Sequence, residues 1–215
     1  MTHFHIVTLF PETLAPYLGA SVLGRAIQSK KIKVSLYNPR DFTKDKHKRV
    51  DRRPYGGGPG MVLEAEPILR AAEKAVGRKK RVKKIVLSPS GTLFTASYAS
   101  RLAKKYSDIL IVAGHYEGID ARVAKILKAE LVSVGSFVTT GGELPALTIV
   151  DATARFISGV LGKEESLEEK RIASSEIYTR PEVVTWKKKK YRVPKVLLSG
   201  HHAEVERWKE KRRRG

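Results

Sequence analysis

Ile109-Leu-Ile-Val-Ala-Gly-His-Tyr-Glu-Gly-Ile-Asp120 and, shortly after, Val132-Ser-Val-Gly-Ser-Phe-Val-Thr-Thr-Gly-Gly-Glu-Leu-Pro145 follow one plan: a short apolar run that stops at a glycine. Runs of that length bounded by turn residues read as buried parallel strands, and Gly114 and Gly135 hand each strand to a loop at its carboxyl end. In an open α/β sheet that edge is where ligands sit. Gly114, Gly118, Gly135, Gly141 and Gly142 let backbone approach a ligand closely, with Glu117, Asp120 and Glu143 among them and Pro145 closing the second loop. The two loops together read as a small-molecule pocket.

Working towards the amino terminus, Ser88-Pro-Ser-Gly91 ends a strand at Ile85 to Leu87 and makes a third candidate ligand loop, and Thr95 is placed to cap a helix running to about Lys105. Glu64 to Val76 carries Ala65, Ile68, Leu69, Ala72, Ala75 and Val76 on one stripe, the pattern of an amphipathic helix lying on a sheet. Before it, Asn38 to Met61 loses all periodicity; Pro39, Pro54 and Pro59 punctuate a basic run, and loops of this length are functional or disordered. Tyr55-Gly-Gly-Gly-Pro-Gly60 lacks the Lys-Ser/Thr of a Walker loop and the preceding strand of a Rossmann fingerprint, and reads as a flap. Phe4 to Phe10 and Ile32 to Tyr37 read as strands around a helix from about Ser21 to Ser29. Helix Arg122 to Leu127 and strand Leu131 to Val134 continue the alternation, which predicts an α/β fold with a parallel sheet covered by helices on both faces. Leu147 to Leu161 reads as an apolar helix carrying Asp151 and Arg155. A buried unpaired guanidinium is costly, so Arg155 needs a partner, an exit to solvent or a subunit interface.

Composition narrows the partner. The 215 residues hold 42 Lys and Arg against 22 Asp and Glu, a net charge of +20, which suits a phosphate-rich ligand and favours nucleic acid. No apolar run approaches the roughly 18 residues of a spanning helix, so no membrane partner is expected. Cysteine is absent, which excludes disulfides and thiolate sites. His201-His202 lacks carboxylates at ligand spacing, and no metal ligands are assigned. The start of the chain shows no signal-peptide layout, so a cytoplasmic location is expected. Gly162 to Glu176 holds five Glu and three Lys or Arg and reads as a charged linker; residues 187 to 215 carry a net +9 interleaved with Tyr191 and Trp208, stacking surfaces suited to RNA. The expected organisation is a main domain over 1–161, a linker over 162–176 and a small, mostly helical basic region over 177–215.

Four motifs in one order carry a resemblance over nearly the whole chain: Arg53-Pro-Tyr-Gly-Gly-Gly-Pro-Gly-Met61, Gly114-His-Tyr-Glu-Gly-Ile-Asp120, Gly141-Gly-Glu-Leu-Pro-Ala146 and Tyr178-Thr-Arg-Pro181. Together with Thr8-Leu-Phe-Pro11 and His202-Ala-Glu204, they resemble the bacterial tRNA (guanine-N1)-methyltransferases of the SPOUT superfamily. The resemblance implies a trefoil knot in the carboxyl half of the main domain, a homodimer with its active site across the subunit interface, and methyl transfer from S-adenosylmethionine to N1 of the guanine immediately 3′ of a tRNA anticodon, with Mg2+ a further requirement for activity to be tested. It implies cofactor contacts at Leu87, Ser88, Pro89, Gly91, Gly114, Tyr116, Glu117, Val134, Gly135, Ser136, Phe137, Val138, Thr139, Gly141, Gly142 and Pro145. RNA contacts are implied at Arg53, Tyr55, Gly57, Gly58, Pro59, Asp120, Tyr178, Arg180 and His202. Arg155 is the implied catalytic cation and Glu169, with Glu168 beside it, the implied base, standing where the family commonly carries an aspartate. Arg52 and Ser136 stand where the family often has acids. The other readings are a SPOUT enzyme acting on a ribose hydroxyl or a different base, and a non-catalytic RNA-binding protein. A dinucleotide-dependent oxidoreductase ranks last, for want of a glycine fingerprint after the first strand.

Overall fold

The computed structural model of the chain describes residues 1–161 and 176–212. The chain divides into two compact units, Met1–Gly162 and Lys163–Gly215. In the first, a five-stranded sheet has the order β2-β1-β6-β5-β7, every neighbouring pair parallel. Its strands are β1 (Thr2–Val7), β2 (Ile32–Tyr37), β5 (Val82–Leu93), β6 (Asp108–Val112) and β7 (Glu130–Ser133). Successive side chains leave opposite faces of a strand, so each strand feeds two cores. Phe4, Ile6, Ile85, Ile109 and Ile111 meet Leu14, Leu18, Leu23, Leu102, Ile149 and Val150, from helices α1 (Pro11–Leu18), α2 (Ser21–Gln28), α4 (Ala96–Lys105) and α6 (Glu143–Ala154). On the other face, Val7, Val86, Leu110 and Val112 meet Ile68, Ala72 and Val76 of α3 (Ala65–Val76) and Val123 of α5 (Arg122–Leu127). The doubly covered parallel sheet is the one the alternation predicts.

Three local departures have physical causes. Helix α1 was not expected, because Pro16 interrupts its ladder; Pro11 at its start has the right φ and no N–H to waste, and burial of Leu14 and Leu18 outweighs the bond lost at Pro16. Strand β5 does not end at Leu87. It continues to Leu93 through a register shift between Leu87 and Thr92 against β7, so Ser88 to Gly91 is an irregular stretch of strand rather than a terminal loop. A Cβ on Gly91 would fall 2.4 Å from the Val132 backbone nitrogen, which is why the bulge carries glycine there. Helix α6 begins at Glu143 and ends at Ala154, earlier at both ends than the apolar run suggests.

The basic stretch from Asn38 to Met61 is built of ordered turns. Asn38 Oδ1 accepts from the Arg40 N–H (3.0 Å), the Asp45 carboxylate accepts from the N–H groups of His47 and Arg49, and Val50 is fully buried. The short strands β3 (Asp51–Arg52) and β4 (Val62–Leu63) pair antiparallel and frame the exposed Tyr55 to Gly60 segment.

In the second unit a hairpin stands beside the expected helical segments, which are a 3-10 turn over Lys195–Leu198 and one α-helix. Strands β8 (Val183–Trp186) and β9 (Lys189–Arg192) form an antiparallel hairpin ahead of α7 (His202–Glu210). Lys187 and Lys188 both take positive φ, the geometry of a two-residue hairpin turn that usually advertises itself as Asn-Gly. Two lysines give no such signal.

Candidate active site

At the carboxyl edge of the sheet the loop after β6 and the loop after β7 meet backbone to backbone. Gly142 donates its N–H to the Gly114 carbonyl at 2.7 Å, and His115 and Gly141 form an isolated bridge. A Cβ on Gly142 would lie 2.8 Å from both Ala113 Cα and Gly114 N, so only glycine permits the crossing. Between these loops and the bulge of β5 lies a cleft of ≈ 240 Å³. Its walls include Leu87, Ser88 and Pro89 from β5, Gly114, Tyr116 and Glu117 from the first loop, and Val134, Phe137, Val138, Thr139, Gly141, Gly142 and Pro145 from the second.

Three residues of the expected set lie outside those walls. Gly91 packs on β7, Gly135 lies under the Phe137 ring, and Ser136 is exposed. Conversely, His115, Val132, Ser133 and Thr140 line the cleft outside the expected set, and Gly118, one of the five loop glycines read as ligand-approaching, lines it too. His115 and Gly118 sit inside the quoted motif, so the signal was present; Ser133 looked like one polar residue in an apolar strand. Its hydroxyl donates to the Gly135 carbonyl at 2.8 Å and starts the turn into the second loop.

The polar groups of the cleft are held from below. Glu143, at the start of α6, accepts from the Thr8 hydroxyl at 2.7 Å, and its other oxygen stands 3.7 Å from His115 Nδ1. That nitrogen is buried without a hydrogen-bond partner. His115 packs edge-on against Tyr116 and at 4.9 Å from Phe10. Tyr116 itself has φ of 57°, a left-handed backbone that a bulky residue adopts only when its surroundings impose it. The imposed turn is visible: Gly118 N–H donates to the His115 carbonyl, and Glu117 N–H to that of Met61.

The second of these bonds ties the flap to the cleft. Leu63 N–H donates to the Gly118 carbonyl, Asp120 N–H to that of Leu63, and the Glu117 carboxyl lies against Gly60. Arg53, Tyr55 and Asp120 share a separate groove with Arg52, Glu64 and Arg122. Gly57, Gly58 and Pro59 are exposed beyond it, and the Tyr55 ring stands wholly in solvent. The Arg122 guanidinium grips both oxygens of Asp120 and lowers its pKa below the ordinary carboxylate range. Asp120 therefore meets any ligand as an anion already shared with an arginine.

Arg155 caps the carboxyl end of α6 and is partly buried. At 1.5 Å per residue it lies about 15 Å along the axis from Pro145, the last residue of α6 to touch the cleft. Glu168 and Glu169 fall outside the described residues. In the second unit, Tyr178 donates its hydroxyl to Glu176, its ring lies 6.3 Å from that of Trp208, and Arg212 stacks over Trp208 at 4.6 Å. Arg180 and His202 are exposed.

Comparison with known proteins extends this geometry. The family model described as tRNA (Guanine-1)-methyltransferase TrmD matches residues 2–215. Among curated relatives, the tRNA (guanine-N(1)-)-methyltransferase of Caldanaerobacter subterraneus subsp. tengcongensis is 46% identical over 213 residues, covering 97% of this chain and 86% of that protein. Those of Pseudoalteromonas atlantica and Haemophilus influenzae are 44% and 45% identical, covering 99% and 96% of this chain and 80% and 84% of theirs.

Proposed function

The chain belongs to the bacterial tRNA (guanine-N1)-methyltransferase family of the SPOUT superfamily, and from that premise we propose that it methylates N1 of the guanine immediately 3′ of a tRNA anticodon. It is an S-adenosylmethionine-dependent enzyme acting on guanine N1 of tRNA near the anticodon. The observation that carries the reading from this chain's own residues is the cleft where two glycine loops touch backbone to backbone.

The cleft fits the methyl donor. Its walls are apolar on the Leu87, Val134, Phe137 and Val138 side and rich in backbone groups at Gly114 to Gly118 and Thr139 to Gly142, the mixture that takes a nucleoside with a polar tail. Side chains at Gly141 or Gly142 would strike His115, Glu143 or backbone and distort the cradle. The bound sulfonium supplies an electrophilic methyl group. The remaining work falls to the protein: guanine N1 carries a proton at neutral pH and must lose it, while charge grows on the neighbouring carbonyl oxygen. Glu169, with Glu168 beside it, is our candidate base and Arg155 the cation facing that oxygen. Tyr116 and Glu117, fixed by the flap, are candidates to orient the donor.

The active form we propose is a homodimer. The length of α6 supports it, since Arg155 and the cleft lie at opposite ends of one helix, and a second copy can bring its own Arg155 to the first copy's cleft. Leu144 and Thr148 are exposed on that helix, with Phe137 and Val138 exposed beside the cleft, a surface suited to a partner. The crossing of Gly142 over Ala113 and Gly114 supports the reading of this region as a trefoil knot. Residues 162–176 are read as the linker that carries the base, and the hairpin and α7, with Arg53, Tyr55, Gly57, Gly58, Pro59, Asp120, Tyr178, Arg180 and His202, as RNA-facing. Among the described residues no group of three His, Asp or Glu side chains gathers at the cleft, and whether turnover needs magnesium is a question for the methyl-transfer assay run with and without the ion. No helix among them is long and apolar enough to cross a membrane, and we place the enzyme with its tRNA in the cytoplasm.

The test is methyl transfer from labelled S-adenosylmethionine to unmodified tRNA with guanine 3′ of the anticodon, the product mapped to the atom by mass spectrometry. N1-methylguanine at that position is expected. Label on a ribose hydroxyl, or on another base, would replace this reading with a different SPOUT chemistry.

A further inference from the structure

The amino edge of the sheet, opposite the cleft, holds a second constellation. His3 and His5 alternate on β1, so both imidazoles leave the same face. Parallel pairing then sets His3 beside Asp108, the first residue of β6. One ring nitrogen of each histidine and a carboxylate oxygen of Asp108 lie within 4.8 Å of one another. The rings are 3.7 Å apart at their centroids. His5 is 1% exposed, while His3 and Asp108 are partly exposed and open the group to solvent.

Each of the three is oriented by an outer partner: His5 Nδ1 is 3.3 Å from the Tyr37 hydroxyl, His3 Nε2 is 2.8 Å from Ser35 Oγ, and Ser107 donates to Asp108 Oδ2 at 3.0 Å. Supporting contacts of this kind fix tautomer and ring orientation in metal sites. Burial, with the cations of Lys33 and Lys79 nearby, lowers the pKa of both imidazoles below the ordinary histidine value, against the pull of the Asp108 carboxylate. Burial would raise Asp108, but bonds from Lys79, His5 and Ser107 hold it at about 2, so it is ionised. Asp108 Oδ1 is held by His5 Nε2 at 3.1 Å and by the ammonium of Lys79, whose side chain is 46% exposed.

We propose that His3, His5 and Asp108 form a binding site for a divalent transition cation of the zinc class, which displaces Lys79 from Asp108. Two imidazoles and a carboxylate suit such cations far better than magnesium or calcium, which prefer all-oxygen shells. The ion would clip β1 to β6 and stabilise the sheet by binding only the folded chain. The site is remote from the methyl-transfer cleft, so turnover should not depend on it.

The test uses chelator-treated full-length protein, titrated with ZnCl2 by calorimetry and with CoCl2 by visible absorption. One equivalent should bind with micromolar or tighter affinity and give the ligand-field bands of a four- or five-coordinate nitrogen and oxygen site. Asp108→Asn and His3→Ala should each weaken binding by about tenfold or more, and Lys79→Met should tighten it by removing the competitor. Circular dichroism checks that each variant folds. His47, His115, His201 and His202 remain in all three variants. Unchanged affinity in Asp108→Asn and His3→Ala would therefore assign any bound ion to those other histidines and overturn the proposal, as would weaker binding in Lys79→Met.

Discussion

Gly142 marks the point where the two cleft loops pass closest, and its role is steric. A methyl group there would fall within 2.8 to 3.0 Å of three backbone atoms of Ala113 and Gly114, none of which can rotate away. Gly142→Ala is therefore expected to separate the loops, lengthen the bond to the Gly114 carbonyl and destabilise the fold by about 1–3 kcal/mol, the usual cost of overpacking. Cofactor affinity should fall at least tenfold in calorimetry, and urea unfolding should register the stability loss. Normal affinity in Gly142→Ala would show that the crossing is not what shapes the cleft. Gly141 differs in kind. Its Cβ would meet the side chains of Glu143 and His115 rather than backbone.

At the scale of elements, β5, β7 and α4 are joined by one carboxylate. Glu130 at the start of β7 accepts from the ammonium of Lys83 on β5 and, at 2.8 Å, from the hydroxyl of Tyr98 on α4. Burial alone would raise its pKa, but Lys83 and Tyr98 outweigh burial and hold it below the ordinary value of 4.5. A carboxyl whose folded pKa is depressed contributes stability above its unfolded pKa and loses it as pH falls through the folded one. Acid unfolding should accordingly steepen below about pH 4.5. Glu130→Gln should flatten that part of the stability curve while lowering stability at neutral pH, as read by thermal melts across pH. A curve parallel to the parent would show that the triad carries no net stability. Several elements were legible beforehand: β2 from Ile32 to Tyr37, α5 from Arg122 to Leu127, and α4 with Thr95 as cap, whose hydroxyl accepts from the Tyr98 N–H. Others were hidden because their signals point the wrong way. Pro16 argues against α1, Ser88-Pro-Ser-Gly91 argues for a loop inside β5, and a Lys-Lys turn conceals the β8–β9 hairpin.

For the whole molecule, the separation of Arg155 from the cleft makes a prediction about assembly. Arg155→Ala should lower turnover by at least about a hundredfold, as loss of a transition-state charge partner does, while sparing cofactor binding. Gly141→Val, with its cleft obstructed, should be inactive for the opposite reason. Mixed by co-expression, the two inactive chains should recover activity, because a heterodimer joins the intact cleft of one to the intact arginine of the other. No recovery in an isolated heterodimer would mean that Arg155 serves its own chain's cleft. The second unit depends on others in another sense. None of its described residues is buried, and a folded piece of this size lacks the core to stand alone. Residues 176–215 in isolation should give a coil spectrum, and a hairpin signature there would show that the cross-strand pairs Val184–Tyr191 and Trp186–Lys189 suffice.

What the sequence alone determined follows from local causes: apolar runs closed by glycine set the parallel sheet, the α3 stripe set its helix, and the ordered motifs from Gly114 to Pro145 set the family and the two loops of the cleft. Tertiary structure alone decided how close those loops come, because the approach of Gly142 to Gly114 is a contact between segments separated by β7. It also decided the place of Arg155, which depends on where α6 starts, and the meeting of His3, His5 and Asp108. Alternation can place two histidines on one face of a strand, but the third ligand arrives only when β6, a hundred residues away, pairs in register beside it.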